Sequence, residues 1–411
     1  MESTKDWKSK PLRDLATINY GRSPAEILAI DGIYPVVGTG GSERLGNDYL
    51  YEGESIILGR KGTIDRVHFV IGRFWTIDTA YYLSGFSESC PRWLFYYLQT
   101  VDLRHMNEAT GVPSLSRDSL YKIQIPTPPR REQTQIAEIL STVDRAIDQA
   151  EALIAKQERI KTGLMQDLLT RGIDEHGNIR SEETHQFKDS PLGGIPVEWE
   201  VTTLGTAVGR NKGSVQTGPF GSQLHAEDYR ETGVPIITVE HLSQNRILHR
   251  NLPLVGEEDY RRLVKYTLCE GDLVFSRVGA IDRCSYVSKD ENGWLFSGRC
   301  FRVRSGQEIN SRYLSYQLNH DKARNWILNN SVGTTMACLN TSILSMTPVL
   351  LPQQKEQAQV ARLLDFISDA IQYELLRKAK LNSLKTGLMQ DLLTGKIRVT
   401  SLLDNMEVTN R

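Results

Sequence analysis

A chain of 411 residues exceeds the size at which one hydrophobic core usually stops growing, so two or more domains are expected. With 39% hydrophobic and 24% charged residues it is not a disordered chain, and it has neither an apolar leader in MESTKDWKSK nor a run of about 18 apolar residues, so a cytoplasmic protein is expected. The net charge of −1 rules out a globally basic nucleic-acid binder and leaves only local basic surfaces, around Arg60, Lys61 and Arg66 and around Arg299, Arg302 and Arg304.

Residues 1–128 read as a mixed α/β domain. YPVVG, ESIILG, VHFVIG and AYYL are predicted strands, and PRWLFYYLQT is a predicted helix. Before the third strand, GRKGTIDR sets Arg60, Lys61, Thr63 and Arg66 around Gly62. Glycine lets a loop backbone approach a phosphate, and arginine matches guanine bidentately, so the loop is a candidate DNA contact. A surface turn with solvated charges is an equal reading of any one of these residues. GTGGSER at 38–44 reads first as a glycine-rich turn and second as a contact.

Residues 129–172 form a predicted long helix. Ile136, Leu140, Val143, Ile147, Ile154, Ile160, Leu164 and Leu168 make an apolar stripe, prolines 128 and 129 precede it and Gly172 ends it. Forty residues at about 1.5 Å each give a rod of roughly 60 Å, which needs a partner to cover its stripe. The polar, turn-rich segment 173–198 is a predicted linker, and a candidate for the long return connection that a parallel helix pair would require.

Residues 199–350 form a second mixed domain, with strands at VPIITVEHL, DLVFSRVG and CSYV and a helix at SRYLSYQLNH. Its candidate contacts are Ser222, Gln223 and His225 after two glycines, Arg277 and Arg283 around Gly279, and Thr334 and Thr335 in GTTMACLN. A second long helix covers 351–396, with Val360, Leu364, Ile367, Ile371, Leu384, Leu388 and Leu392 on its stripe, followed by a tail at 397–411. Five cysteines without a C-x-x-C pair argue against both a zinc site and a disulfide framework.

The halves repeat one another. KTGLMQDLLT at 161–170 recurs unchanged at 385–394, and EQTQIAEIL at 132–140 meets EQAQVARLL at 356–364 at the same offset. GRKGTIDR faces SRVGAIDR, PSLSRDSLYKIQIPTPPRREQ parallels ACLNTSILSMTPVLLPQQKEQ, and Trp7 and Trp199 mark the two beginnings. Two similar helices after two diverged domains predict an antiparallel pair that holds unlike heads. The drift of loops faster than packed helices is the simpler alternative.

GTTMACLNTSIL, PFGSQLHAEDYRETGVPIITVEHL, EGDLVFSRVGAID and the helix opening E-Q-x-x-I/V resemble the specificity subunits of type I restriction and modification systems over nearly the whole chain. The first domain departs from this pattern at GVPSLSRDSL. The resemblance implies an α+β fold in which two target-recognition domains are separated and followed by long helices paired as an antiparallel coiled coil. Each domain would read one half of a bipartite site in double-stranded DNA, with the helices setting the gap.

It also implies two modification (methyltransferase) subunits that use S-adenosylmethionine, and restriction (translocase and nuclease) subunits that use ATP and Mg2+. The chain itself would carry no cofactor or metal, and no phosphate-loop or adenine-methyltransferase motif is present. The alternatives are the specificity subunit of a system whose nuclease and methyltransferase are fused, and a structural coiled-coil protein without a DNA role.

Overall fold

The computed structural model describes residues 7–209, 214–219, 223–279, 281–333 and 337–400. They divide into two compact units, one from 1–153 with 374–411 and the other from 154–373. Each unit therefore combines a globular domain with part of both long helices.

In the first unit the chain runs β1 (Lys8–Pro11), α1 (Leu12–Leu15), β2 (Thr17–Tyr20), β3 (Tyr34–Gly38), β4 (Gly41–Gly46), β5 (Tyr51–Gly59), β6 (Val67–Thr76), β7 (Ala80–Ser84), α2 (Pro91–Leu98), α3 (Arg117–Tyr121) and β8 (Gln124–Thr127). β2 to β7 form one six-stranded sheet in the order β2-β7-β5-β6-β3-β4. The end of β5, from Ser55 to Gly59, is buried throughout, as befits a strand covered on both faces. α2 presents Trp93, Leu94, Tyr96 and Leu98 to the core that also holds Leu12, Ile56, Leu58 and Leu120. All four predicted strands and the predicted helix are present. β1 and β8 pair antiparallel and bring the domain's two ends together at the start of the central helix.

The second globular domain has two four-stranded sheets. One orders Val215–Thr217, Cys300–Val303, Leu273–Ser276 and Cys284–Tyr286, and the other Tyr229–Arg230, Leu254–Val255, Val234–Ile237 and Leu295–Phe296. The predicted strand VPIITVEHL stops at Ile237, because the backbone N–H of Thr238 donates to Nδ1 of His241 (3.0 Å) and curls Val239–His241 into a short 3-10 turn. Glu200–Thr203 pairs antiparallel with Pro348–Leu351, repeating the β1–β8 closure of the first domain. Between the domains in sequence, Phe187–Lys188 pairs with Ile195–Pro196, so the segment expected as a plain linker holds a small hairpin.

The two long helices span Arg130–Leu168 and Gln354–Leu392, 39 residues each, beginning and ending at equivalent positions of the repeat. They run antiparallel. In the first unit Lys385 pairs with Asp144 (2.7 Å) and Lys378 with Glu151 (2.8 Å), so one helix descends as the other rises. In the second, Leu164 and Leu168 pack with Val360, Ala361 and Leu364. No helix among the described residues is long and apolar enough to cross a membrane.

One part of the predicted stripe is corrected. Ile160 and Leu384, which occupy the same repeat position, are 44% and 50% exposed. The inward position one residue later is taken by Lys161 and Lys385, whose ammonium groups lie over the rings of Tyr316 (6.0 Å) and Tyr96 (5.5 Å). Tyr96 bonds Asp144 (2.6 Å) and Ser141 (3.2 Å), while Tyr316 bonds Asp365 (2.7 Å) and Ser368 (3.1 Å). Asp and Ser have exchanged places between the copies, yet the same four side-chain types meet at each junction.

The E-Q pair that opens each helix anchors it to its domain. Gln133 Nε2 donates to the Pro128 carbonyl and its Oε1 accepts from Cys90 N–H, ahead of α2. Gln357 does the same with Pro352 and Asn310. Glu132 is bound by Arg398 and Glu356 by Arg180, each pair nearly buried. All five cysteines are free, and burial pushes the Cys300 thiol up to about 12.

Candidate nucleic-acid interface

The R-x-G-x-I-D-R loops are folded by the same three backbone bonds in both domains. Arg60 N–H donates to Thr79, Gly62 N–H to Pro113, and Leu115 N–H back to Arg60 (2.9, 2.9 and 3.0 Å). In the second domain Arg277 donates to Arg299, Gly279 to Ala337, and Leu339 to Arg277 (2.8, 3.1 and 2.9 Å). Gly62 and Gly279 have φ of 87° and 82°, a backbone that a side chain would strain. Ile64 and Ile281 are buried. Asp65 pairs with Arg104 and Asp282 with Arg324, tying each loop to a later segment of its own domain.

Much of what the two copies share in this motif is thus required by folding. The two positions that they do not share are exposed in the first domain, Lys61 and Thr63, where the second copy has Val278, which is half-buried, and Ala280. Ala280 lies outside the described residues.

Arg60 is half-buried, with Nη1 donating to the Asp78 carbonyl (3.0 Å) and its guanidinium 5.2 Å from the Tyr20 ring centre. Arg66 and Arg283 are exposed, and Arg277 is half-buried with Nη1 3.4 Å from the Gly298 carbonyl. Thr63 borders a cavity of about 480 Å3 with Gly38, Thr39, Gly41, Arg44 and Thr79. The GTGGSER segment is the glycine-rich turn expected first, joining β3 to β4, and it borders a cavity beside the Arg60 loop.

Gln223 is held from two sides, its Oε1 accepting from the Tyr266 hydroxyl (2.9 Å) and its carbonyl from Arg262 (2.5 Å). His225 is exposed, with its backbone N–H on Asp228 (2.7 Å). These bonds tie the 223–225 segment and the Arg277 loop to different neighbours. Ser222, Thr334 and Thr335 lie outside the described residues.

The arginine-rich stretch 299–304 does not form the local basic surface expected of it. Arg302 is buried, donating to the Thr267 carbonyl (3.1 Å), and Arg304 makes a two-bond pair with Asp272 (2.7 and 2.6 Å). Arg302 lies in a strand buried along its whole length, while half-exposed Arg304 just beyond it supplies the cation that buried Asp272 needs. Only Arg299 of the three is exposed.

The first domain gains residues that sequence reasoning passed over. Arg117 also lies 5.2 Å from the Tyr20 ring and shares a cavity with Arg60 and Lys61. Position 117 stands inside the repeat at PSLSRDSL, but its counterpart is Thr341, so searching for what the copies share could not select it.

Residues 4–159 and 196–385 match the type I restriction modification DNA specificity domain, two copies covering most of the chain. The chain belongs to this family. The type I restriction enzyme MjaVIII specificity subunit of Methanocaldococcus jannaschii is 25% identical over 97% of this chain and 94% of its own. The EcoDI specificity subunit of Escherichia coli is 20% identical over 98% and 91%. The crystal structure of a type I restriction-modification S subunit from M. genitalium superposes with a TM-score of 0.69, at 14% identity, over 95% of this chain and 99% of that one, which establishes a common fold. Two DNA specificity domains, each followed by a long helix of an antiparallel pair, make up this type I specificity subunit.

Proposed function

We propose that the chain is the non-catalytic DNA-reading subunit of a type I restriction-modification complex, with each domain reading one half of a bipartite site. In this reading residues 1–128 and 199–350 are the recognition domains and 129–172 and 351–396 the helices that set the gap. Modification subunits dock on the helices and restriction subunits complete the assembly, supplying the chemistry with S-adenosylmethionine, ATP and Mg2+. The observation that carries it is the contrast between a shared frame and unshared surfaces. The loop bonds, the E-Q anchors and the Glu–Arg pairs recur in both copies, whereas the exposed loop positions 61 and 63 differ from 278 and 280. A common scaffold with two different faces suits two different half-sites, read through base edges while backbone contacts fix the register.

In this reading Arg60, Lys61, Thr63 and Arg66 contact DNA from the first domain. Ser222, Gln223, His225, Arg277, Arg283, Thr334 and Thr335 do so from the second. Exchanging residues 1–128 for another recognition domain and sequencing methylated adenines in the host tests independent reading. One half-site should change and the other persist, whereas a change in both would contradict it.

A further inference from the structure

A cavity of about 310 Å3 in the first domain is lined by Tyr20, Arg60, Lys61, Ser114, Ser116 and Arg117. It is built rather than incidental. Lys61 and Ser114 bridge its two walls, and Leu115 N–H closes onto Arg60. Tyr20 is 46% exposed and carries two guanidinium groups, those of Arg60 and Arg117, each 5.2 Å from its ring centre. The ring positions both cations without neutralising either.

Arg60 spends one N–H on the Asp78 carbonyl, and Nε of Arg117 is buried with no hydrogen-bond partner among the described residues. A buried guanidinium N–H without an acceptor is costly to keep. Two carboxylates border the same cavity. Glu108 is turned onto the hydroxyls of Ser119 and Ser116, which hold its carboxyl below the usual range, and Asp118 stands on the rim. Three cations face two carboxylates there, which leaves the cavity one net positive charge.

We infer that this cavity clamps one backbone phosphate of the half-site read by the first domain, with Arg117 as its principal donor, Arg60 and Lys61 as flanking cations and Tyr20 as the plate that orients both arginines. A phosphate offers acceptors for planar guanidinium donors and carries the charge that two cations on one ring lack. The clamp belongs to one half-site only, since Thr341 stands where the first domain has Arg117. This rests on the DNA-reading assignment above.

The test uses the complete complex with its modification subunits, on a duplex carrying the motif that it methylates, with affinity measured between about 50 and 200 mM salt. Arg117→Ala should weaken binding by about tenfold, equally for every permitted motif variant, and reduce the slope of log affinity against log salt by about 1. Arg117→Lys should recover the slope but only part of the affinity, because an ammonium lacks the planar donor fork of a guanidinium. Tyr20→Leu should give a loss smaller than that of Arg117→Ala.

Thermal unfolding of each variant near the parent value shows that folding is intact, and Arg117→Gln serves if the alanine variant unfolds. Unchanged affinity and slope in a folded Arg117 variant would overturn the clamp. So would a loss confined to one base pair of the motif. If the parent complex fails to prefer its motif over a scrambled duplex, the DNA-reading assignment fails instead, which the same titration reveals.

Discussion

Arg398, just beyond the end of the C-terminal helix, closes on Glu132 at the start of the central helix with two bonds of 2.7 and 2.9 Å. The other copy answers it: Arg180, downstream of the central helix, grips Glu356 at the start of the C-terminal helix (2.6 and 3.2 Å). Trp7 donates to Glu132 and Gly172 lies against Glu356, so the beginning and ending of each repeat meet at a carboxylate with little access to water.

Breaking either pair from one side should destabilise the subunit markedly, because it strands a buried charge. Arg180→Met or Arg398→Met should cost about 3 kcal/mol, less for Arg398, which is the more exposed. The double variants Glu356→Gln/Arg180→Met and Glu132→Gln/Arg398→Met should recover much of the loss. Urea unfolding checks this, and additive losses in the double variants would argue against a coupled pair.

Gly172→Ala should also disrupt the clamp. A Cβ there would sit 2.1 Å from Glu356 Oε1 and 2.4 Å from the Trp199 ring, and the backbone has φ of 65°. Gly163→Ala, with open space around its Cβ and a helical position, should instead be neutral or stabilising by up to about 1 kcal/mol. Comparing the two melting temperatures decides whether the close approach matters.

Lys161 and Lys385 occupy the same repeat position and should respond oppositely to removal. Burial, then Arg246 and Arg312, hold the Lys161 ammonium below its ordinary value, with Asp365 and Glu158 opposing them. Arg312 already occupies Asp365. The folded state therefore disfavours the charged form, and the unfolded chain binds more protons between the lowered value and 10.5. Lys161→Met should raise the melting temperature near neutral pH, and the gain should fade as pH rises toward 10.5. Lys385→Met removes the ion pair with Asp144 and should cost about 1–2 kcal/mol. Equal effects of the two substitutions would contradict the difference between the junctions.

What the sequence disclosed follows from period and repetition. The apolar stripe to Ile154 and the strands of the first domain stand where spacing places them, because local pattern and burial agree there, while both long helices stop four residues short of the expected ends, at Leu168 and Leu392. Ile160 and Leu384 misled because each neighbours a lysine whose stem packs inward while its ammonium rests on a tyrosine, which a hydrophobic pattern does not count. Arg302 and Arg304 misled because composition shows charge but not the buried Asp272 that takes it. The E-Q motif was visible as a repeat, but its partners Arg180 and Arg398 lie beyond the helix ends and are joined to it only by folding.

The exposed loop positions should govern specificity one half-site at a time. Thr63→Ala copies the second domain's side chain onto the first domain's loop, which is folded by the same backbone bonds. The methylated motif should then relax or shift within one half-site only. A motif unchanged at every position would remove Thr63 from base contact.

In the proposed function the antiparallel helix pair sets the distance between two independently read half-sites. Four residues inserted within 150–160, with four more at the matching place of the C-terminal helix, lengthen each helix by about 6 Å, close to about two base-pair steps. Sequencing methylated adenines in a host that carries this variant should show both half-sites intact and the gap between them altered. An unchanged gap, or half-sites that change with it, would contradict the claim.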